Sequence, residues 1–310
     1  PIDSTADWPG RIMQLRKNYP GGDVFEKALQ GLSVIEARTD DEEALTIALI
    51  LRETLEMPGQ TGALVTPDPA LARRVRARLR RWQVDVDYSQ GEPLEETQAG
   101  SFLAGLLRLA QDPDNPVDLA FMCKHSLTGL GQKPQTLRAD WAKLELEHFR
   151  GGRPSGMQAY DALKPLYAAL AEISAGADHL SAPDWAKKLA LASEAFTASD
   201  VATGAEVLWR GEAGEAAAGM LEDLIDHGST LGEMDLRSFA RLISVLMRGR
   251  VVRARYGMHP RLQILGPLEA RMLQADRIIL GGLNEGVWPA GLSALPFLSR
   301  GMRAALGLSL

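Results

Sequence analysis

The stretch Leu262–Pro289, LQILGPLEARMLQADRIILGGLNEGVWP, decides how this chain is read. It reads as strand, helical turn, strand and sharp exit. Asp276-Arg277 lead into Ile278-Ile279-Leu280, which end at Gly281-Gly282. A short continuous apolar run closed by glycine predicts a strand buried on both faces, and such strands belong inside parallel sheets. Asn284-Glu285-Gly286 then fall at the carboxyl end of that strand, where open α/β sheets hold their ligands, before Trp288-Pro289 stop any helix.

Towards the amino end the same grammar recurs. Leu32-Ser33-Val34-Ile35-Glu36-Ala37 is a candidate strand, and Thr39 followed by Asp40-Asp41-Glu42-Glu43 supplies the cap and acidic first turn of a helix reaching about Glu56. Ala63-Leu64-Val65-Thr66 is a second strand, Pro67-Asp68-Pro69 start a helix running from Leu71 to Trp82, and Val84-Asp85-Val86 is a third strand. Strand-helix-strand-helix-strand implies a parallel sheet. Residues 1–31 carry the breaker clusters Trp8-Pro9-Gly10 and Tyr19-Pro20-Gly21-Gly22 and are expected to be an irregular lead-in.

Residues 99–130 read as one or two helices broken at Asp112-Pro113-Asp114-Asn115-Pro116. Beyond Leu130 strand patterns vanish, and helices are expected at Leu137–Phe149, Met157–Ile173, Pro183–Thr197, Gly204–His227 and Leu236–Met247. The expected architecture is therefore an α/β domain made of 32–130 and 255–310, interrupted by a helical insertion over 131–254.

Composition narrows the chemistry. The 310 residues are 45% hydrophobic and 24% charged, enough for one large or two ordinary cores, with a net charge of -6. Any nucleic-acid contact must therefore come from local basic patches and not from the overall field. Cys123 is the only cysteine, which excludes an internal disulfide and clustered-thiol metal sites, so a reducing cytoplasm is the expected compartment. No apolar run approaches the roughly 20 residues that span a bilayer, and no membrane association is expected. The start at Pro1 without an initiator Met, and the stop at Leu310 after a helical pattern, suggest a piece of something larger.

His125, His148, His179, His227 and His259 are dispersed, without metal-ligand spacing, so no metal is expected. Cys123 lies in the apolar run Leu119-Ala120-Phe121-Met122, which suits an inert buried thiol. No G-x-S-x-G elbow and no G-x4-G-K-[ST] phosphate loop occur, and Gly281-Gly282 with Gly286 do not open a helix as a dinucleotide fingerprint would. No cofactor is expected.

Two basic runs remain. In the helix LARRVRARLRRW, Leu71, Val75, Leu79 and Trp82 share one face, leaving Arg73, Arg74, Arg76, Arg78, Arg80 and Arg81 on the others. Six arginines in nine positions could neutralise phosphates, although charge runs are more commonly solvated outer faces. Arg248, Arg250, Arg253, Arg255 and Arg261 form the second run.

The order of elements, together with VIEARTDDEEALTIALILRE, GALVTPDPALARRVRARLRRWQVDVD, KHSLTGLG, HPRLQILGPLEARMLQADRIILGGLNEGVWP and PFLSRGMRAALGL, resembles the second motor domain of superfamily 1 DNA helicases. Within that group it is most similar to the AddB family, the partner subunits of AddA in bacterial AddAB helicase-nucleases, in their alphaproteobacterial form. The resemblance covers about Leu32–Leu310 and implies a RecA-like parallel sheet.

Active relatives carry T-x-H-x-A-K-G-L-E before the last strand. Counted back from GGLNEGVWP, this chain has Gly266 for the Thr, Leu268 for the His, Arg271 for the Lys, Met272 for the Gly and Gln274 for the Glu. Where an Arg near the nucleotide usually ends the strand before the arginine helix, this chain has Val65-Thr66-Pro67. Methionine for a backbone-exposing glycine, and an amide for a carboxylate, remove close approach and charge. The resemblance thus implies a helicase fold without a motor, guiding a single DNA strand within double-strand-break repair and contacting an AddA-type subunit. Expected DNA contacts are Arg271, Arg253, Arg255, Arg73 and Arg74, with Asn284, Glu285 and Gly286 marking the strand end. An ATP-driven helicase half and a purely structural scaffold are the competing expectations.

Overall fold

A computed structural model of the chain describes residues 8–20, 23–149, 160–174, 179–253, 257–288 and 298–307. Helices α1 (Trp8–Asn18) and α2 (Asp23–Ala28) open it, so the lead-in is more regular than its breakers suggest. Then follow α3 (Asp40–Glu56), β1 (Gly62–Val65), α4 (Pro69–Arg80), β2 (Asp87–Tyr88) and β3 (Glu92–Pro93). The helical middle holds α5 (Gln98–Gln111), α6 (Pro116–Lys124), α7 (Pro134–Leu144), α8 (Lys164–Ser174), β4 (Leu180–Ser181), α9 (Ala182–Thr197), α10 (Gly204–Leu208), α11 (Gly211–His227), β5 (Glu233–Met234) and α12 (Leu236–Gly249). The chain returns through β6 (Val251–Val252), β7 (Leu262–Leu265) and β8 (Arg277–Leu280), and α13 (Arg300–Ala305) follows. Among the described residues no helix is long and apolar enough to cross a membrane.

The four-stranded sheet has the order β2-β7-β1-β8, and all its pairings are parallel. The expected α/β class and parallel sheet hold, and the sheet does resume after the helical segments. β1 is the centre: Gly62 pairs with Leu262 on one side and Arg277 on the other, and the whole strand is buried. Asp276 pins the start of β8 beside it, its Oδ2 accepting from both the N–H and the hydroxyl of Thr61 at 2.8 Å.

α3 and α4 cover the same face. Thr39 caps α3 by accepting from the Glu42 N–H, and Asp68 caps α4 by accepting from the Ala70 N–H. Their apolar stripes, Ile47 and Leu51 on one and Leu71, Val75 and Leu79 on the other, meet Leu64, Leu262 and Ile264. A Cβ at Gly281 would lie within 3.1 Å of Leu64, Leu71 and Ile47 together, so glycine lets the exit of β8 pass under both helices.

Three strand expectations are corrected. Ile278-Ile279-Leu280 is not buried on both faces: among the described residues β8 is an edge strand, Ile279 turns to the core, and Ile278 and Leu280 are 51% and 52% exposed. A continuous apolar run reports chemistry, but not which neighbours arrive to cover it. Leu32–Ala37 forms no strand with any of the described residues and lies exposed, Val34 at 84%. The third strand is Asp87–Tyr88 instead of Val84–Val86, because Gln83 takes φ +60 after α4 and delays the return to extended backbone.

A second core runs from Leu94 to Met247 and includes Phe102, Leu106, Trp141, Trp185, Phe196, Phe239 and Ile243. Its boundary falls near residue 90, so α5 and α6, read from sequence as part of the α/β domain, pack with the helical body instead. The expected helix over Gly204–His227 is broken at Gly211, whose φ is +72. The start of the helix expected from Met157 lies outside the described residues. The chain leaves and re-enters the sheet unit through one neck, where β3 and β6 pair antiparallel and the Leu94 N–H donates to the Arg250 carbonyl at 2.8 Å.

Leu64→Ala, which empties space between sheet and both helices, should cost about 2–5 kcal/mol in urea-induced unfolding. Hydrogen bonds from Thr61, its N–H first and then its hydroxyl, hold the Asp276 carboxyl below its ordinary value of 3.8. Its stabilisation is therefore complete above that value and is lost as pH falls through the lower folded value. Asp276→Ala should lower the melting temperature at pH 7, and the gap from the wild type should close as acid is added.

Candidate nucleic-acid interface

The carboxyl end of the sheet is the first place to look for a ligand. At the end of β1, the Thr66 hydroxyl accepts from the Asp68 N–H at 3.1 Å, and the Asp68 carboxylate accepts from the Ala70 N–H at 2.8 Å. Pro69 offers no N–H, so the amino end of α4 is closed by its own carboxylate. Past β8, the Gly282 N–H donates to Glu43 Oε1 at 2.7 Å. Past β7, Gly266 is wedged between Gln90 and Glu269, whose atoms would lie within 2.5 Å of a Cβ there. Glu43, Asp68 and Glu269 thus occupy the strand ends. An arriving phosphate would meet carboxylates instead of the free backbone N–H groups that cradle one.

Residues 266–274 lie on this rim. Gly266 is buried, Leu268 caps the 3₁₀ turn Glu269–Met272 that contains Arg271, and Met272 is 95% exposed. Gln274 is exposed in the link to β8. Asn284, Glu285 and Gly286 form an exposed turn in which the Asn284 carbonyl accepts from the Val287 and Trp288 N–H groups at 3.0 Å. Pro289 lies outside the described residues.

Most of the α4 arginines already have partners. Arg74 pairs with Asp40 and Arg78 with Asp41, each at 3.3 Å, tying α4 to the acidic first turn of α3. Arg80 pairs with Asp85 at 2.9 Å, and Arg73 forms a salt bridge to Glu96 across to the helical body. These pairs are substantially exposed, so each contributes little to stability. Arg76 differs: its guanidinium lies 5.7 Å over the Tyr88 ring, and its buried Nε has no hydrogen-bond partner. Burial, and then the neighbouring Arg80, pull its pKa below the ordinary value. Burial likewise raises the Tyr88 phenol, which donates to Gln90 Oε1 at 2.9 Å.

The second arginine run also has structural work. Arg261 donates to the carbonyls of Leu55, Met57 and Gln60, closing the carboxyl end of α3. Arg248 pairs with Glu95 at 3.4 Å and Arg250 with Asp223. Arg253 Nε donates to the Ser89 carbonyl at 3.1 Å, and Arg255 lies outside the described residues.

Arg76, Arg80 and Arg253 come together on a cleft of about 400 Å³ between the sheet unit and the helical body. Tyr88, Gly91, Thr97 and Gln98 also line it, as do the carboxylates Asp87, Glu92, Glu96 and Glu212. Gly91 permits its geometry, since a Cβ there would lie 2.4 Å from Val251 and 2.8 Å from the Val252 carbonyl. Of the residues picked from sequence, only Arg253 lines this cleft; Arg73 reaches its wall through Glu96, Arg74 turns to Asp40, and Arg271 is not part of it. Arg76 and Arg80 belonged to a recognised run, but spacing alone could not rank them above their neighbours. Tyr88 and Gly91 gave no signal in the sequence.

Cys123 and His125 lie in the helical body, away from the cleft. Burial pushes the Cys123 thiol up to about 12, so it stays protonated at neutral pH. His125 accepts from the Leu127 N–H at Nδ1 and faces the Ser101 hydroxyl at 3.3 Å through Nε2, and burial lowers its pKa. Among the described residues no group of three or more His, Cys, Asp or Glu side chains is arranged to hold a metal ion. No model of a known protein family matches the chain, and a search of curated proteins finds no relative. Cys123 should resist a thiol reagent at pH 8 in the native protein and react fully once urea unfolds the helical body, as read by absorbance of the released chromophore.

Proposed function

We propose that this chain is the helicase-like, non-hydrolysing part of an AddB-type subunit in a double-strand-break helicase-nuclease, and that it guides a DNA strand along the arginine cleft. The observation that carries this reading is the meeting of two arginine runs, about 170 residues apart in sequence, on one cleft through Arg76, Arg80 and Arg253. Phosphates are recognised by guanidinium groups, and Arg76, Arg80 and Arg253 all line the cleft. The carboxylates beside it limit the cleft to few phosphates at a time, which suits a strand that passes through more than one that is held.

The same reading assigns ATP hydrolysis to an AddA-type partner. Glu43, Asp68 and Glu269 at the strand ends would repel a nucleotide, and Met272 and Gln274 replace groups that active relatives place near one. The rival scaffold reading is favoured by a specific observation: Arg73, Arg74, Arg78 and Arg80 all spend their charge on internal carboxylates.

Fluorescence titration of single-stranded DNA against the intact two-subunit complex separates the two. With Arg76→Glu and Arg253→Glu combined, affinity should fall by more than about tenfold, and the slope of log K against log salt should flatten by roughly 1.4, the value for two lost contacts on a single strand. Unchanged affinity and slope would leave the scaffold reading standing.

A further inference from the structure

α12 stands apart in charge. Its sequence, LRSFARLISVLMRG, holds Arg237, Arg241 and Arg248 and no acidic residue, in a chain with 40 Asp and Glu against 34 Lys and Arg. Phe239, Ile243 and Met247 bury its apolar side in the helical core. At 3.6 residues per turn the three arginines fall within roughly 40° of one another, on a face turned away from that core. All three are exposed.

Two of them are unspoken for. Arg248 pairs with Glu95 at 3.4 Å, whereas among the described residues the side chains of Arg237 and Arg241 make no hydrogen bond or ion pair. The nearby Asp235 carboxylate caps the helix by accepting from the Ser238 N–H, and its charge reaches Arg237 without forming a pair. The arginines of α4 behave differently: Arg73, Arg74, Arg78 and Arg80 each meet a carboxylate. Solvated surfaces ordinarily intersperse both signs, and a face of single sign attracts anions.

The row also leads to the cleft. Arg248 lies at its carboxyl end, and the residue after its partner Glu95, Glu96, lines the cleft wall. β6 follows α12 directly, and Val252 and Arg253 line the same cleft. At 1.5 Å per residue, Arg237 to Arg248 spans about 16 Å, several times the roughly 3.4 Å between phosphates along one strand of a duplex. Such a row suits a run of phosphates and not one small anion.

We propose that the exposed face of α12 is a phosphate-binding track for a single DNA strand, gripping it through Arg237 and Arg241 and passing it by Arg248 to the cleft. The inference rests on the strand-guiding reading and adds the path outside the cleft. Nothing in the core depends on these side chains, so the track can be removed without disturbing the fold.

The test is an Arg237→Glu, Arg241→Glu double variant in the intact two-subunit complex, titrated with a fluorescent single-stranded oligonucleotide over a range of salt. Affinity should fall at least fivefold, and the slope of log K against log salt should flatten by roughly 1.4 for two lost contacts. Arg138→Glu with Lys143→Glu on α7, both exposed, changes the net charge equally and should leave affinity within twofold. An equal loss in that control would overturn the track, since bulk charge alone would then explain it. Unchanged binding in the α12 variant, beside a loss on changing Arg76 and Arg253, would also overturn it and leave the cleft reading intact. The reverse pattern would keep the track and end the cleft reading. Sedimentation of each complex is the last arm: release of the partner subunit by the α12 variant would overturn the track and assign this face to an acidic protein surface.

Discussion

Everything in the sheet unit depends on one four-residue strand whose two edges are both paired with strands that come much later. Gly62–Val65 bonds to Leu262–Leu265 on one side and Arg277–Leu280 on the other. The sheet cannot close until the whole helical body has been placed so that its ends lie together. Ordering so long an intervening segment costs closure entropy that a four-residue strand cannot offset alone, and pairings this distant in sequence form slowly. The antiparallel neck of Glu92-Pro93 with Val251-Val252 shortens the problem, since once it forms the body acts as a loop with joined ends. Asp276 on Thr61 and Arg261 on the end of α3 then fix the register from the amino ends of the strands.

What the sequence disclosed followed how local the cause was. Thr39 and Pro67-Asp68-Pro69 mark helix starts because a cap is a contact between residues two or three apart: Thr39 caps as expected, and within the second start Asp68 is the capping residue. The glycine exit after Leu280 was equally readable, because a turn is a property of its own residues. Burial was not. Ile278 and Leu280 carry the composition of a central strand, yet their exposure depends on whether a further strand lies beside them, which periodicity cannot state. The neck and the boundary near residue 90 escaped for the same reason: Val252 and Glu92 meet only because two distinct cores bring them together.

Charge shows a similar division. Counting arginines marks the helix but cannot say which guanidinium groups are paired within the fold. Pairing is settled by the elements that face them, and those are α3 for Arg74 and Arg78 and the helical body for Arg73. What remains is a cleft of mixed sign, a poor match for a bulk electrostatic attractor in a chain of net charge -6. Any selectivity it has must rest on the placement of Arg76 and Arg253 and not on their number. Asp68 and Glu43 at the strand ends, by contrast, are held by backbone hydrogen bonds and form part of the fold itself.

The neck also has a mechanical meaning. Two short strands lying side by side, one entering the helical body and one leaving it, make a strap with a preferred axis: their shared hydrogen bonds resist twisting, while bending across the strap strains few contacts. The walls of the arginine cleft belong to the two masses that this strap joins, and Arg73 with Glu96 is a latch between them. The exposed Arg73–Glu96 ion pair that joins the two walls is a restraint that rising ionic strength would loosen.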